Sequence, residues 1–244
     1  ASNVSSGNTS KYHVGDTKCI ALNGFTTTND NGCEDGEFLV RIANMSSPSE
    51  CENEGFSQSA CGFVIEFVDV ISINVMNSEG TYGGVNYDTG WNIGGWPASK
   101  MYKYINPVDG NASSGTIYKA LPSDLKNAII DTYTISGRGS SGSGKYTSTD
   151  KLYLFSTAEI WLGGHSKDRE ISSTRQLDYY NLVTTSSDYT STIKQYNGTN
   201  NKWWLRSAYS ERDTIFFDVD YTGSCGYSYA NQNDVGVSPA FRIG

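Results

Sequence analysis

Trp203-Trp204-Leu205-Arg206-Ser207 and Gly236-Val237-Ser238-Pro239-Ala240-Phe241-Arg242-Ile243 are apolar stretches that enclose a polar window, Tyr209–Asp234. Inside the window, Thr214-Ile215-Phe216-Phe217-Asp218-Val219-Asp220 alternates as a strand does, which puts Ile215, Phe217 and Val219 on one face and Phe216, Asp218 and Asp220 on the other. Tyr221-Thr222-Gly223-Ser224 is a turn signal, and Gly226-Tyr227-Ser228-Tyr229-Ala230 follows it, so the window reads as a β-hairpin or meander. In the first apolar stretch Trp203 and Leu205 share one strand face and Trp204 and Arg206 the other, which makes at least one tryptophan core. Arg206 and Arg242 read as framework residues satisfied by backbone carbonyls or carboxylates.

Fifteen of the 26 residues in the window are Tyr, Asp, Ser, Asn or Gly. Tyr gives a large amphipathic contact with few rotatable bonds, and Ser, Asn and Gly give adaptable hydrogen bonding, the mixture used by binding surfaces built to be varied. The candidate ligand-binding residues are therefore Tyr209, Asp213, Phe216, Asp218, Asp220, Tyr221, Tyr227, Tyr229, Asn231 and Asn233. The rival reading of the same composition is a solvated sheet face on an acidic surface protein.

The frame WWLRS, a strand ending in Asp-x-x-Gly, and GVSPAFRIG at the end of the chain resemble a bacterial domain family of unknown function with a C-type-lectin-like fold. They are also similar to the variable proteins of diversity-generating retroelements, whose C-terminal segment displays randomised residues between invariant framework strands. Gly94-Gly95-Trp96-Pro97, the stretch from Thr149 to Ser156 and Arg175-Gln176-Leu177-Asp178-Tyr179-Tyr180 fit the same family, so the resemblance covers residues 14–244. It implies an α+β, C-type-lectin-like fold with long loops and few short helices, a variable-type binding region at 203–244, and a first strand paired with the last. It also implies a cell-surface or extracellular receptor or adhesin whose ligand is a protein or glycan on another cell or virus surface.

The 244 residues suffice for one large domain with a core of its own, and the chain divides into a disordered segment at 1–11 and a single domain at 12–244. A net charge of −8 removes the phosphate attraction on which nucleic-acid binding depends. No apolar run is long enough to span a bilayer and no targeting segment is visible, so a membrane enters only through a missing tether. Five cysteines leave at least one unpaired. Cys19 with Cys33 and Cys51 with Cys61 have spacings that a disulfide closes in an oxidising compartment; buried thiols are the alternative.

Phe38-Leu39-Val40-Arg41-Ile42 is a clear strand, and Gly62–Ile71, the most apolar stretch, reads as a buried strand at the centre of a sheet. Asn77–Gly95 is a loop held by Trp91 and Trp96. Pro97 opens a short helix with Met101, Tyr104 and Ile105 inward, and Pro122–Ile130 is a second helix. Ser136–Ser148 is a flexible Gly/Ser loop, Lys151–Phe155 a strand, Thr157–Leu162 a helical turn capped by Ser156 or Thr157, Arg175–Tyr180 another turn, and Ser186–Thr199 polar loop.

Little points to catalysis. His13 and His165 are the only histidines, no cysteine pair has zinc spacing, and Gly137–Lys145 lacks the strand and helix that flank a phosphate-binding loop. No cofactor or metal is called for. Asp218 and Asp220, two apart, have a spacing fit for a glycosidase carboxylate pair or for calcium, though such pairs are more often a solvated strand face. The alternatives to a binding module are a surface hydrolase using Asp218 or His165, and a structural cell-surface domain.

Overall fold

A computed structural model describes residues 7, 9–28, 31–108, 114–185 and 189–244. Most of the segment expected to be disordered, residues 1–6 and 8, lies outside them, as do parts of the loops after Asn106 and Thr185.

In chain order the strands and helices are β1 (Thr17–Ala21), β2 (Glu37–Asn44), β3 (Val64–Phe67), β4 (Ser72–Ile73), the hairpin β5 (Gly80–Tyr82) and β6 (Val85–Tyr87), then α1 (Gly95–Ala98), α2 (Lys100–Ile105), α3 (Thr116–Ala120) and α4 (Ser123–Ala128). There follow the hairpin β7 (Thr132–Gly137) and β8 (Lys145–Asp150), α5 (Thr157–Ile160), α6 (Asp178–Val183), and the hairpin β9 (Lys194–Tyr196) and β10 (Thr199–Asn201). The chain closes with β11 (Trp203–Ala208), β12 (Ile215–Val219), β13 (Cys225–Tyr229), β14 (Gly236–Val237) and β15 (Ala240–Arg242). This is an α+β arrangement in which strands dominate.

The β-branched, aromatic run of β3 is buried along its whole length and lies inside a four-stranded sheet of order β1-β2-β3-β15. The strand that pairs with the terminal β15 is therefore β3, with Phe241 opposite Ile65, rather than the first or second strand. β1 is too exposed to take that central place: it is an edge strand, closed onto β2 and tied by the Cys19–Cys33 disulfide. Cys51 and Cys61 form the second disulfide.

The five-stranded sheet has the order β13-β12-β11-β14-β4, antiparallel except for the parallel β11–β14 contact. Trp203, Trp204 and Leu205 are all fully buried, because layers cover both faces of β11. Trp203 Nε1 donates to the Thr192 carbonyl at 3.0 Å and Trp204 Nε1 to that of Asn74 at 2.8 Å, so neither indole carries an orphaned donor into the core.

Two loop expectations and one strand expectation are corrected. The Gly/Ser stretch is the turn of the β7–β8 hairpin, whose flanking Thr and Tyr residues pair from Thr132–Asp150 to Gly137–Lys145. The polar stretch before Trp203 contains the β9–β10 hairpin. From Leu152 onward Lys151–Phe155 is buried, and it joins no sheet as a strand: it meets β15 at the Tyr153–Ala240 bridge, and the Phe155 carbonyl accepts from Arg206 N–H at 2.9 Å. The short helices fall where their caps place them: the Ser99 hydroxyl accepts from Tyr102 N–H at the start of α2, and Glu159 Oε2 accepts from Ser156 N–H at 3.0 Å at the start of α5.

Candidate functional site

β12 and β13 pair in antiparallel register, with Ile215 opposite Tyr229, Phe217 opposite Tyr227 and Val219 opposite Cys225. The turn between them is built by Asp220, whose Oδ1 accepts from Thr222 N–H at 2.8 Å, Ser224 N–H at 3.0 Å and the Thr222 hydroxyl at 2.6 Å. Gly223 has φ +88° and lies against the backbone of Tyr189, where a Cβ would fall 2.1 Å from the carbonyl oxygen. Only glycine fits there.

Alternation along β13 then sorts its side chains. Gly226 and Ser228 face inward: a Cβ on Gly226 would meet Asp218 Oδ1 at 2.4 Å, and the Ser228 hydroxyl donates to Asp218 Oδ2 at 2.5 Å. Tyr227 and Tyr229 point out and are exposed, as is Tyr221 in the turn. β13 is the sheet's edge strand.

The expectation that Phe216 and Asp218 face solvent is corrected, since both are buried. β12 has layers on both sides, so the alternation that set one face inward did not leave the other wet. Burial pushes the Asp218 carboxyl up to about 6, against the Ser228 hydrogen bond and nearby Lys202, which favour its charged form. Tyr209, Asp213, Asp220 and Asn231 are half-buried and Asn233 is exposed. Of the ten candidates, Tyr221, Tyr227, Tyr229 and Asn233 are thus fully displayed. Asp220 and Asn231 act also in the frame, the latter by donating to the Asp88 carbonyl at 2.9 Å.

Beneath Tyr227 lies an aromatic cluster that includes His165. The His165 ring lies 4.7 Å from Phe217, and Tyr209 is 5.2 Å from Phe217 and 5.7 Å from Tyr227. His165 is fixed by its backbone: its N–H donates to the Thr157 hydroxyl at 3.0 Å, and its Nδ1 accepts from Lys167 N–H at 3.1 Å. The hydroxyls of Thr157 and Ser207 in turn donate to Asp168 Oδ2 at 2.7 and 2.6 Å. Burial raises the Asp168 carboxyl above its usual value.

This cluster stands on a buried ionic centre. Arg206, fully buried, donates to Glu159 through Nη1 and Nη2, both at 2.7 Å, and its Nη2 also reaches Glu170 at 2.8 Å. Burial alone would raise the Glu159 carboxyl, and Arg206 more than offsets that, holding it below the ordinary range. Burial leaves Glu170 well above its ordinary value, because Arg206 is shared and Asp168 and Glu159 oppose a further charge. A second centre holds Glu66 between Arg41 at 2.8 Å, Lys194 at 2.7 Å and the Tyr180 hydroxyl at 2.9 Å.

Converging catalytic groups are not formed around the sequence candidates. A cavity of about 990 Å³ lies between β1–β2 and α4, and one of about 350 Å³ beside Lys167 and Glu211; neither is lined by Asp218 or His165. Cys225 is exposed, yet desolvation and the neighbouring Asp218 and Asp168 push its thiol up to about 12, which leaves little thiolate at neutral pH. Cys19, Cys33 and Glu37 are close enough to hold an ion, but the two sulfurs are bonded to each other.

A family model described as a domain of unknown function (DUF6273) matches residues 72–244, well over half of the chain. The chain belongs to this family. No curated protein and no solved structure matches it. β3 precedes the matched span and β15 ends it, so in this DUF6273 member the four-stranded sheet draws on both sides of the match's boundary. No helix among the described residues is long and apolar enough to cross a membrane.

Proposed function

We propose that the chain is a non-catalytic ligand-binding module of C-type-lectin-like fold, a variable protein of the diversity-generating kind that presents a Tyr-, Asn-, Ser- and Asp-rich surface to a macromolecular ligand. The observation that carries this reading is the exposure of Tyr221, Tyr227 and Tyr229 on a strand pair whose β12 is buried along its whole length. Rigid aromatic anchors on a preorganised backbone lose little freedom on binding, which is where affinity at such surfaces originates. Two disulfides fit an extracellular or cell-surface setting, where thiols oxidise.

Replacing Tyr227 and Tyr229 together by alanine abolishes ligand capture from cell-surface preparations while leaving the free energy of unfolding within about 0.5 kcal/mol of wild type, the range of ordinary surface substitutions. Capture unchanged by that pair of substitutions refutes the reading. At the nucleotide level, the reading expects a reverse transcriptase beside the gene and a near-copy of its 3′ end that differs at adenines; a gene lacking both is not diversified.

A further inference from the structure

The hairpin β5–β6 lies in the stretch expected to be a loop and outside the polar window Tyr209–Asp234, yet it too displays large side chains to solvent. Tyr82 and Val85 are 49% and 53% exposed, against 57% and 48% for Tyr227 and Tyr229, which places these four among the few large apolar side chains the surface leaves bare. The hairpin is fastened to the window at several points. Asn231 N–H donates to the Thr89 carbonyl at 3.3 Å, its Nδ2 to that of Asp88 at 2.9 Å, and Asn77 N–H to that of Ala230 at 2.8 Å.

Its base is equally constrained. The Trp91 ring covers Gly80, where a Cβ would lie 2.3 Å from the ring, and stands 6.4 Å from the Tyr87 ring. The buried Asn92 Nδ2 lies 2.8, 2.6 and 2.7 Å from the carbonyls of Tyr209, Arg212 and Ile215, fixing the loop that carries Asp213.

Charge indicates what such a face accepts. The segments Glu79–Asn92 and Tyr209–Asp234 carry Glu79, Asp88, Glu211, Asp213, Asp220 and Asp234 with solvent access, against the single cation Arg212. Lys167, on a neighbouring loop, is engaged by Glu211. We propose that the β5–β6 hairpin and β13 form one continuous docking face, and that its occupant is a protein surface rich in arginine and lysine. Tyrosine rings beside carboxylates hold guanidinium and ammonium groups by cation–π contact and charge-assisted hydrogen bonds. The same carboxylates repel anionic glycans and nucleic acid. A broad face with apolar Val85 among the tyrosines suits a protein interface, apolar at its centre and polar at its rim.

This inference rests on the binding-module reading, and the test separates the two. A display library of a small rigid protein, randomised over one face, is selected on the full chain, and clones are measured against a hairpin variant (Tyr82→Ser with Val85→Ser) and a sheet variant (Tyr227→Ala with Tyr229→Ala). Both variants alter exposed side chains, and thermal unfolding checks that they remain folded. The expected clones are enriched in Arg and Lys, bind each variant about tenfold or more weakly, as loss of a hot spot does, and associate more slowly as salt rises. Clones weakened by the sheet variant alone overturn the hairpin's part and leave the binding module standing. Clones indifferent to both variants overturn both. Clones rich in Asp and Glu, or a neutral glycan bound by the wild type and lost in both variants, overturn the assigned partner.

Discussion

Replacing Arg206 by methionine removes the one cation among three buried carboxyl groups, and the geometry sets the size of the effect. Glu159 keeps its charge in the folded protein because the guanidinium meets both of its oxygens at 2.7 Å. The carbonyls of Leu154 and Ile135, at 2.8 and 3.2 Å, lose a donor at the same time. Breaking a buried ion pair from one side costs about 3–5 kcal/mol, and orphaned carbonyls add about 1 kcal/mol or more. A total near 5 kcal/mol is a large share of the roughly 5–15 kcal/mol by which domains are stable. In a chain of this size that lowers the melting temperature by about 10–20 °C. Urea denaturation followed by circular dichroism measures it, with the slope m unchanged if the folded state remains compact. Adding Glu159→Gln to Arg206→Met restores part of the loss, since the stranded charge is then gone. A cost for Arg206→Met below about 1 kcal/mol, or no recovery in the double variant, refutes the assignment of an ionised Glu159 held by Arg206.

Glu66→Gln strands Lys194 and Arg41 beside a neutral amide and is expected to cost about 3–5 kcal/mol in the same assay; a neutral outcome means the centre is not dry. Asp218→Asn acts in the opposite sense. A carboxyl raised from 3.8 to about 6 destabilises the fold increasingly as pH climbs through that interval, by up to about 3 kcal/mol, so the asparagine variant is more stable than wild type at pH 7 and gains nothing near pH 3. A loss of equal size at both pH values contradicts this. Cys19→Ser with Cys33→Ser opens a loop of sequence separation 14 and lowers stability by about 3 kcal/mol under oxidising conditions and by nothing after full reduction. Within β13, Gly226→Ala forces a Cβ onto Asp218 Oδ1 and lowers the melting point, whereas Tyr227→Ala and Tyr229→Ala leave it nearly unmoved; equal losses at all three positions rule out the inward–outward division.

The central β3, the burial of at least one tryptophan of β11, the framework role of Arg206 and the start of α5 were legible because each depends on local pattern: an apolar run, a strand period, a cap. Phe216 and Asp218 were misplaced because alternation identifies which side chains share a face and says nothing about whether a second layer covers the other face. Asp218 is accepted there only through Ser228, ten residues away, a contact set by the register of the hairpin. Lys194 was hidden in a polar stretch, yet its partner Glu66 was in view as a carboxylate within the most apolar run of the chain, which is itself a sign of a buried countercharge. The hairpin β7–β8 was missed because the Gly/Ser turn outweighed the Thr- and Tyr-rich arms that pair around it.

The two ionic centres share no hydrogen bond or ion pair with the displayed tyrosines, and that division bears on what each part of the structure contributes. Arg206 fastens β11 to α5, and Glu66 fastens β3 to β2 and β9, through contacts that include no exposed residue of β13. The turn at Asp220 and Gly223 fixes where β13 begins, and the Asn231 and Asn92 bonds fix where it ends and how the loop before β12 is held. Tyr227 and Tyr229 are therefore side chains whose backbone is set by other residues. Tyr227 touches the frame through Tyr209, while Gly226 and Ser228, between the displayed positions, are bound to Asp218 by space and by a hydrogen bond. Under the proposed binding-module reading, a strand with this division would keep its inward positions for stability and leave its outward ones free to vary with the ligand.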